Sequence, residues 1–207
     1  MSTRAFFDDA ARAAVTAAIK RVESQTSAEV VVAVRRQAGV SYVAADLAFG
    51  ALVALASLAL VLFVDKEFAT KWIPVDVAVA FAAGVLLCRY TMSLRRLFTP
   101  GARRAAETRR AACAAFQDLG IGRTSGRSGI LVLVALFEHR VSIVADVGID
   151  PTVIQACVSG LEASVHRAIP DFDAFIAALD ALGPALATTM PRREDDVNEL
   201  PDEVGVA

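Results

Sequence analysis

Five side chains are spaced so that a simple fold would bring them together: Glu29, Arg127, Ser128, Asp146 and Asp150. Glu29 and Ser128 each stand at the head of a short apolar run, Val30–Val34 and Ile130–Phe137. If those runs are parallel strands, their heads share one sheet edge, and a return strand over Val141–Val147 carries Asp146 back to it. Carboxylates without histidine suit a hard cation such as Ca²⁺ or Mg²⁺, which makes Glu29, Asp146 and Asp150 candidate metal ligands. The plainer alternative is that Glu29 and Asp146 close strand ends and pair with nearby arginines.

The segment Gly120–Gly129 is rich in glycine and basic residues, and Arg127, Ser128 and Gly129 are its candidate phosphate or ligand contacts. It matches neither the P-loop nor the dinucleotide fingerprint. Ser125 and Ser128 lack the G-x-S-x-G setting of a nucleophile elbow. His139, in a predicted hairpin turn, and His166, on a predicted helix, have no zinc-ligand spacing and read as surface or boundary residues. Cys88, Cys113 and Cys157 are scattered, which fits a reducing compartment better than a disulfide framework.

The chain has 207 residues, 56% of them hydrophobic, and a formal net charge of −2. That charge offers no basic field for nucleic acid. The N-terminus reaches Asp8 and Asp9 too soon to hold the apolar core of a secretory signal. Most of the apolar excess lies between Val43 and Leu94. Leu47–Val64 is an uncharged run of eighteen residues, which at 1.5 Å per residue covers roughly 27 Å, close to the ~30 Å hydrocarbon core. A second window, Trp72–Leu94, has Asp76 near one end and Arg89 near the other, where Arg89 can snorkel to the surface. The expected spans are about 44–64 and 73–93, joined by a short loop. Alanines 51, 54, 80 and 83, with Gly84, would let these helices approach closely. Flanking Lys and Arg residues number eight outside the hairpin against two in its loop, Lys66 and Lys71. The positive-inside rule then places both long segments in the cytoplasm of a multi-pass plasma (inner) membrane protein. The bilayer is the expected partner, with Arg95, Arg96, Arg103 and Arg104 facing anionic headgroups.

An amphipathic helix is predicted over Arg4–Glu23, a strand over Ala28–Arg35, and a basic helix over Gly101–Leu119. Helices follow over Pro151–Arg167 and Asp171–Thr189, then an acidic tail read as poorly ordered. In that tail Leu200 and Pro201 are candidates to dock on a partner or back on the basic helix. The fold class is α/β: a small sheet-and-helix domain interrupted by a helical hairpin. Its parts are residues 1–42, the hairpin 43–94, residues 95–190, and the tail 191–207.

The segments Thr26–Val34, Ser128–Val134 and Arg140–Ile149, in this order around an inserted hairpin, resemble the TPM domain family. More narrowly, the chain is similar to a bacterial subgroup with two inserted spans and an Asp/Asn-Glu-Leu-Pro-Asp tail, here Asp195–Asp202. The resemblance implies a membrane-anchored interaction or assembly module with other membrane proteins as partners. It also implies an alternative, a divalent-cation-dependent phosphatase acting on phosphomonoesters. Many relatives carry Asp/Asn-Asn-Gly before the central strand; Arg127-Ser128-Gly129 stands there in this chain and removes an oxygen ligand.

Overall fold

A computed structural model describes residues 8–64, 69–166, 171–192, 199–200 and 205–206. It divides into two compact units, residues 39–104 and the remainder on either side. Predicted residues 4–7 of the first helix, and the loop around Glu67, lie outside the described residues.

The larger unit is mixed α/β. Helix α1 (Asp9–Glu23) leads to strand β1 (Glu29–Arg35), and the chain returns through α5 (Gly101–Asp118) to β2 (Gly129–Ala135) and β3 (Arg140–Ala145). Helices α6 (Pro151–Val165), α7 (Phe172–Asp180) and α8 (Leu182–Ala187) follow, and a two-residue strand β4 (Gly205–Val206) ends the order. The sheet runs β3-β2-β1-β4. β1 and β2 are parallel, with Glu29 opposite Gly129 and Arg35 opposite Ala135, and β2 and β3 are antiparallel.

Both faces of the central strands are covered, which explains their continuous apolar runs. Val30, Val32, Val34, Ile130, Val132 and Val134 point into one cluster with Ile19, Leu161, Phe175 and Leu182. The alternate residues Val31, Ala33, Leu131 and Leu133 meet Ala112, Ala115 and Phe116 of α5 in a second. Period-two alternation therefore survives within strands that are apolar at almost every position.

Several features differ from the sequence reading. The predicted helix Asp171–Thr189 is two helices, because Pro184 offers no N–H and its ring opposes the carbonyl of Asp180, the last residue of α7. β2 stops at Ala135, although the Leu136 and Phe137 N–H groups still donate to the Arg35 and Arg36 carbonyls at 3.0 and 2.9 Å. His139 is buried rather than superficial: it takes a left-handed conformation (φ 51°) in the β2–β3 turn and is 5% exposed.

The smaller unit holds α2 (Val43–Phe63) and α3 (Ile73–Tyr90), with α3 entered by a 3-10 turn over Thr70–Trp72. Both helices are long and apolar enough to cross a membrane. Their large side chains are largely uncovered, with Leu55 at 64%, Leu62 at 65% and Val79 at 62% exposed. Gly84, expected at the close approach, lies there together with Gly50. A Cβ on Gly84 would stand 2.9 Å from the Val53 Cβ and 3.0 Å from the Gly50 Cα.

The second apolar helix ends at Tyr90, short of the predicted 93. Thr91 is extended, and a separate turn of helix, α4 (Met92–Leu97), follows. The break brings the Arg95 Nη2 to 2.8 Å from the Asp46 Oδ2, with both side chains mostly buried. Arg95 is thus held by a carboxylate of its own chain. Its guanidinium and that of Arg103 each lie 5.9 Å from the ring centroid of the fully buried Tyr42. Arg96 and Arg104 also make contacts within the protein.

Candidate functional site

The parallel register of β1 and β2 puts their N-terminal ends side by side. The Glu29 N–H donates to the Ser128 carbonyl at 3.1 Å, and the Asp146 N–H donates to the Gly129 carbonyl at 2.9 Å. Glu29, Ser128 and Asp146 therefore share one sheet edge, and all three are buried.

The loop before β2 is built on Thr124. Its hydroxyl accepts the Ser128 N–H at 3.0 Å and its carbonyl accepts the Arg127 N–H at 3.1 Å. Arg127 takes a left-handed conformation (φ 51°), and its Nε lies 3.1 Å from the Asp146 Oδ2. The other Asp146 oxygen accepts the Val147 N–H at 2.7 Å. The cationic partner of Asp146 is thus a guanidinium.

Gly129 is set by packing. A Cβ there would stand 2.4 Å from the Ile121 carbonyl oxygen, so only glycine lets the turn after α5 lie against β2. Asp150 does not join the edge cluster. It is exposed and caps α6, its Oδ1 accepting the Thr152 N–H at 2.8 Å and the Thr152 hydroxyl at 2.7 Å. These two hydrogen bonds, the backbone one first, hold its carboxyl below the usual range.

Among the described residues no three His, Cys, Asp or Glu side chains come together as a metal-holding group. Of the three predicted ligands, two lie at the edge and the third serves its own helix. With Arg127 against Asp146, this donor set does not fit a divalent cation. His139 lies in the turn at the opposite end of the β2–β3 pair, and the His166 Nδ1 is 3.3 Å from its carbonyl oxygen, so neither offers a base to this edge.

Further contacts at the edge involve Glu199, which the sequence reading does not single out. The Ser125 N–H donates to the Glu199 Oε2 at 2.8 Å, and the Ser125 hydroxyl donates to the other oxygen of that carboxylate. The Glu199 N–H donates in turn to the Glu29 Oε1 at 3.2 Å. Leu200 packs against the apolar cluster that includes Val31, Leu131 and Phe116. These described pieces of the tail have definite partners, and Gly205–Val206 pairs with Ala33–Val34 of β1. Leu200 is the tail residue expected to dock on the basic helix, and it packs on the cluster that α5 helps to build; the seat of Glu199 on Ser125 has no local signal in the sequence.

The Ser125 hydroxyl, then its N–H, holds the Glu199 carboxyl below the ordinary carboxylate range. A depressed pKa means the contact is fully present above the ordinary value of ~4.3 and is lost as pH falls through the lower one. The Ser125 amide resonance is therefore expected to keep its docked position as pH falls to that ordinary value and move only below it. Movement with a midpoint at or above the ordinary value, or an unchanged titration in Glu199→Gln, would contradict the assignment.

No protein-family model matches the chain, and no curated protein matches it. Among solved structures it is similar to the NMR structure of BA42 protein from the psychrophilic bacterium Bizionia argentinensis, at 15% identity and a TM-score of 0.55. The likeness covers 95% of this chain and 92% of that one. At this identity it shows the shared mixed α/β fold.

Proposed function

We propose that the chain is a TPM-like integral membrane protein whose α/β unit is an interaction or assembly module for other membrane proteins. The observation that carries this reading is the exposure of α2 and α3: two apolar helices whose leucines, valines and phenylalanines are left uncovered. Exposed apolar surface on this scale needs a nonaqueous neighbour, and a bilayer meets the length and composition of both helices. Chain connectivity supports a hairpin. β1 precedes these helices and β2 follows them, yet the two strands pair in one sheet. The flanking segments must then lie on the same side of the membrane, as an even number of crossings requires. The Lys and Arg asymmetry favours the cytoplasmic face of the plasma membrane.

Reporters fused after Arg36, within the loop at Glu67, and after Pro191 test this topology in intact cells. Cytoplasmic signals at both outer positions and an external one at Glu67 are expected. An external signal after Pro191 would overturn the anchored module, because it would separate β1 from β2.

The alternative phosphatase reading draws on Glu29 and Asp146 sharing an edge. The Arg127–Asp146 pair and the absence of a histidine there among the described residues weigh against it. Phosphomonoester turnover with Mg²⁺, Mn²⁺ or Ca²⁺, abolished by Asp146→Ala, would reverse that preference.

A further inference from the structure

We propose that the Ser125 loop and the adjoining edge of β1 form a binding site for an acidic peptide segment carrying a glutamate followed by an apolar residue. The chain's own Glu199-Leu200 fills this site in cis. The inference deepens the interaction-module reading and rests on it.

Three parts of the tail, Glu199, Leu200 and Gly205–Val206, are held in four ways. The Glu199 carboxylate receives both donors of Ser125, a charge-assisted seat for one side chain. The Glu199 main-chain N–H is read by the buried Glu29 carboxylate. Leu200 rests on the apolar cluster, and farther along Gly205–Val206 adds to the free side of β1 in parallel register with Ala33–Val34. Main-chain pairing along a sheet edge, with separate seats for side chains, is the physics of recognition of an extended peptide.

The donor chemistry selects a carboxylate over a phosphate dianion. The seat presents an N–H and a hydroxyl, Arg127 of the same loop is engaged by Asp146, and the Glu29 carboxylate lies beside it. A dianion would compete with Asp146 for Arg127 and would face Glu29. A side-chain carboxylate brings a single charge, and its own main-chain N–H answers Glu29.

A cis occupant competes at an effective concentration on the order of millimolar. A partner segment must therefore displace the tail, and confinement in the same membrane would raise its local concentration. The site is then closed until a suitably acidic neighbour is close.

The test uses the full chain in detergent and a fluorescent peptide of residues 195–207. The Glu199→Gln, Leu200→Asp double variant, with its own tail weakened, is expected to bind the peptide at least tenfold more tightly than the unaltered chain. Adding Ser125→Ala should weaken that binding at least tenfold, as should replacing the peptide's glutamate by glutamine. Circular dichroism establishes that each variant keeps the helical content of the unaltered chain, and Glu199→Gln alone serves as the milder second variant. Equal binding by the unaltered chain and both tail variants would overturn the proposal, as would indifference to the peptide's glutamate. Displacement by inorganic phosphate at the peptide's own affinity would overturn it in favour of a phosphate site. Because the assay is made in detergent, its failure is distinct from failure of the topology, which the cellular reporters read separately.

Discussion

Asp46→Ala is expected to cost about 3–5 kcal/mol of hairpin stability, the range for removing one partner of a buried ion pair. Asp46 lies in the first turn of α2, where a negative charge also suits the helix dipole. Its partner Arg95 is reached only because the chain breaks at Thr91 and restarts as α4. Removing the carboxylate leaves a cation whose side chain is 18% exposed, beside the fully buried Tyr42. Replacing both members, Asp46→Ala with Arg95→Leu, should recover most of the loss, since no uncompensated charge then remains. Unfolding of the purified chain in increasing SDS, followed by helicity, reads both effects. A double variant no more stable than the single one would show that the pair is not what holds this end together.

Gly84→Leu is expected to destabilise the same hairpin by about 1–3 kcal/mol or more through overpacking. Gly84 faces Gly50, and a Cβ on Gly50 would stand 2.5 Å from the Val85 Cγ2 and 3.0 Å from the Phe81 carbonyl oxygen. The obstruction at Gly84 is the Val53 Cβ and the Gly50 backbone, neither of which is the flexible end of a long side chain. A leucine can be accommodated only by separating the helices. In lipid, close packing is a principal force between helices, and little hydrophobic drive exists to restore it. Ala51→Leu, on an exposed position of α2, serves as the comparison and should change stability by no more than about 0.5 kcal/mol. Equal SDS midpoints for Gly84→Leu and the unaltered chain would show that this crossing is not a close-packed one.

Both predictions lie where the sequence could be read only in part. The run Leu47–Val64 announces its helix by length and by freedom from charge, both local properties. It cannot say which small residues meet the neighbouring helix, because that depends on the rotation of one helix about its axis against the other. Composition offers Gly84 together with four alanines; contact geometry places Gly84 against Gly50. Arg95 likewise belongs to a basic cluster whose plain reading is headgroup contact. Whether it faces lipid or Asp46 turns on a single break in the helix.

The α/β unit divides the same way. Continuous apolar runs, a return strand and amphipathic helices were legible because strand and helix periods are written in neighbouring residues. From the order of these elements, the shared edge of Glu29, Ser128 and Asp146 followed through parallel pairing. Asp150 stands before a proline at a helix start and caps its own helix, away from that edge. The missing Cβ of Gly129 makes room for the Ile121 carbonyl, a packing requirement that no local period announces.

The amino-acid sequence by itself determined the apolar helices, the buried strands and the polarity of each segment, since these follow from solvation and from spacings of two to four residues. Tertiary structure alone decided the pairings of Asp46 with Arg95, Ser125 with Glu199, and Glu29 with Glu199, separated by 49, 74 and 170 residues. At such separations no local period links the partners. Folded elements must first pack and fix their registers before a carboxylate and its donors can come within hydrogen-bond distance.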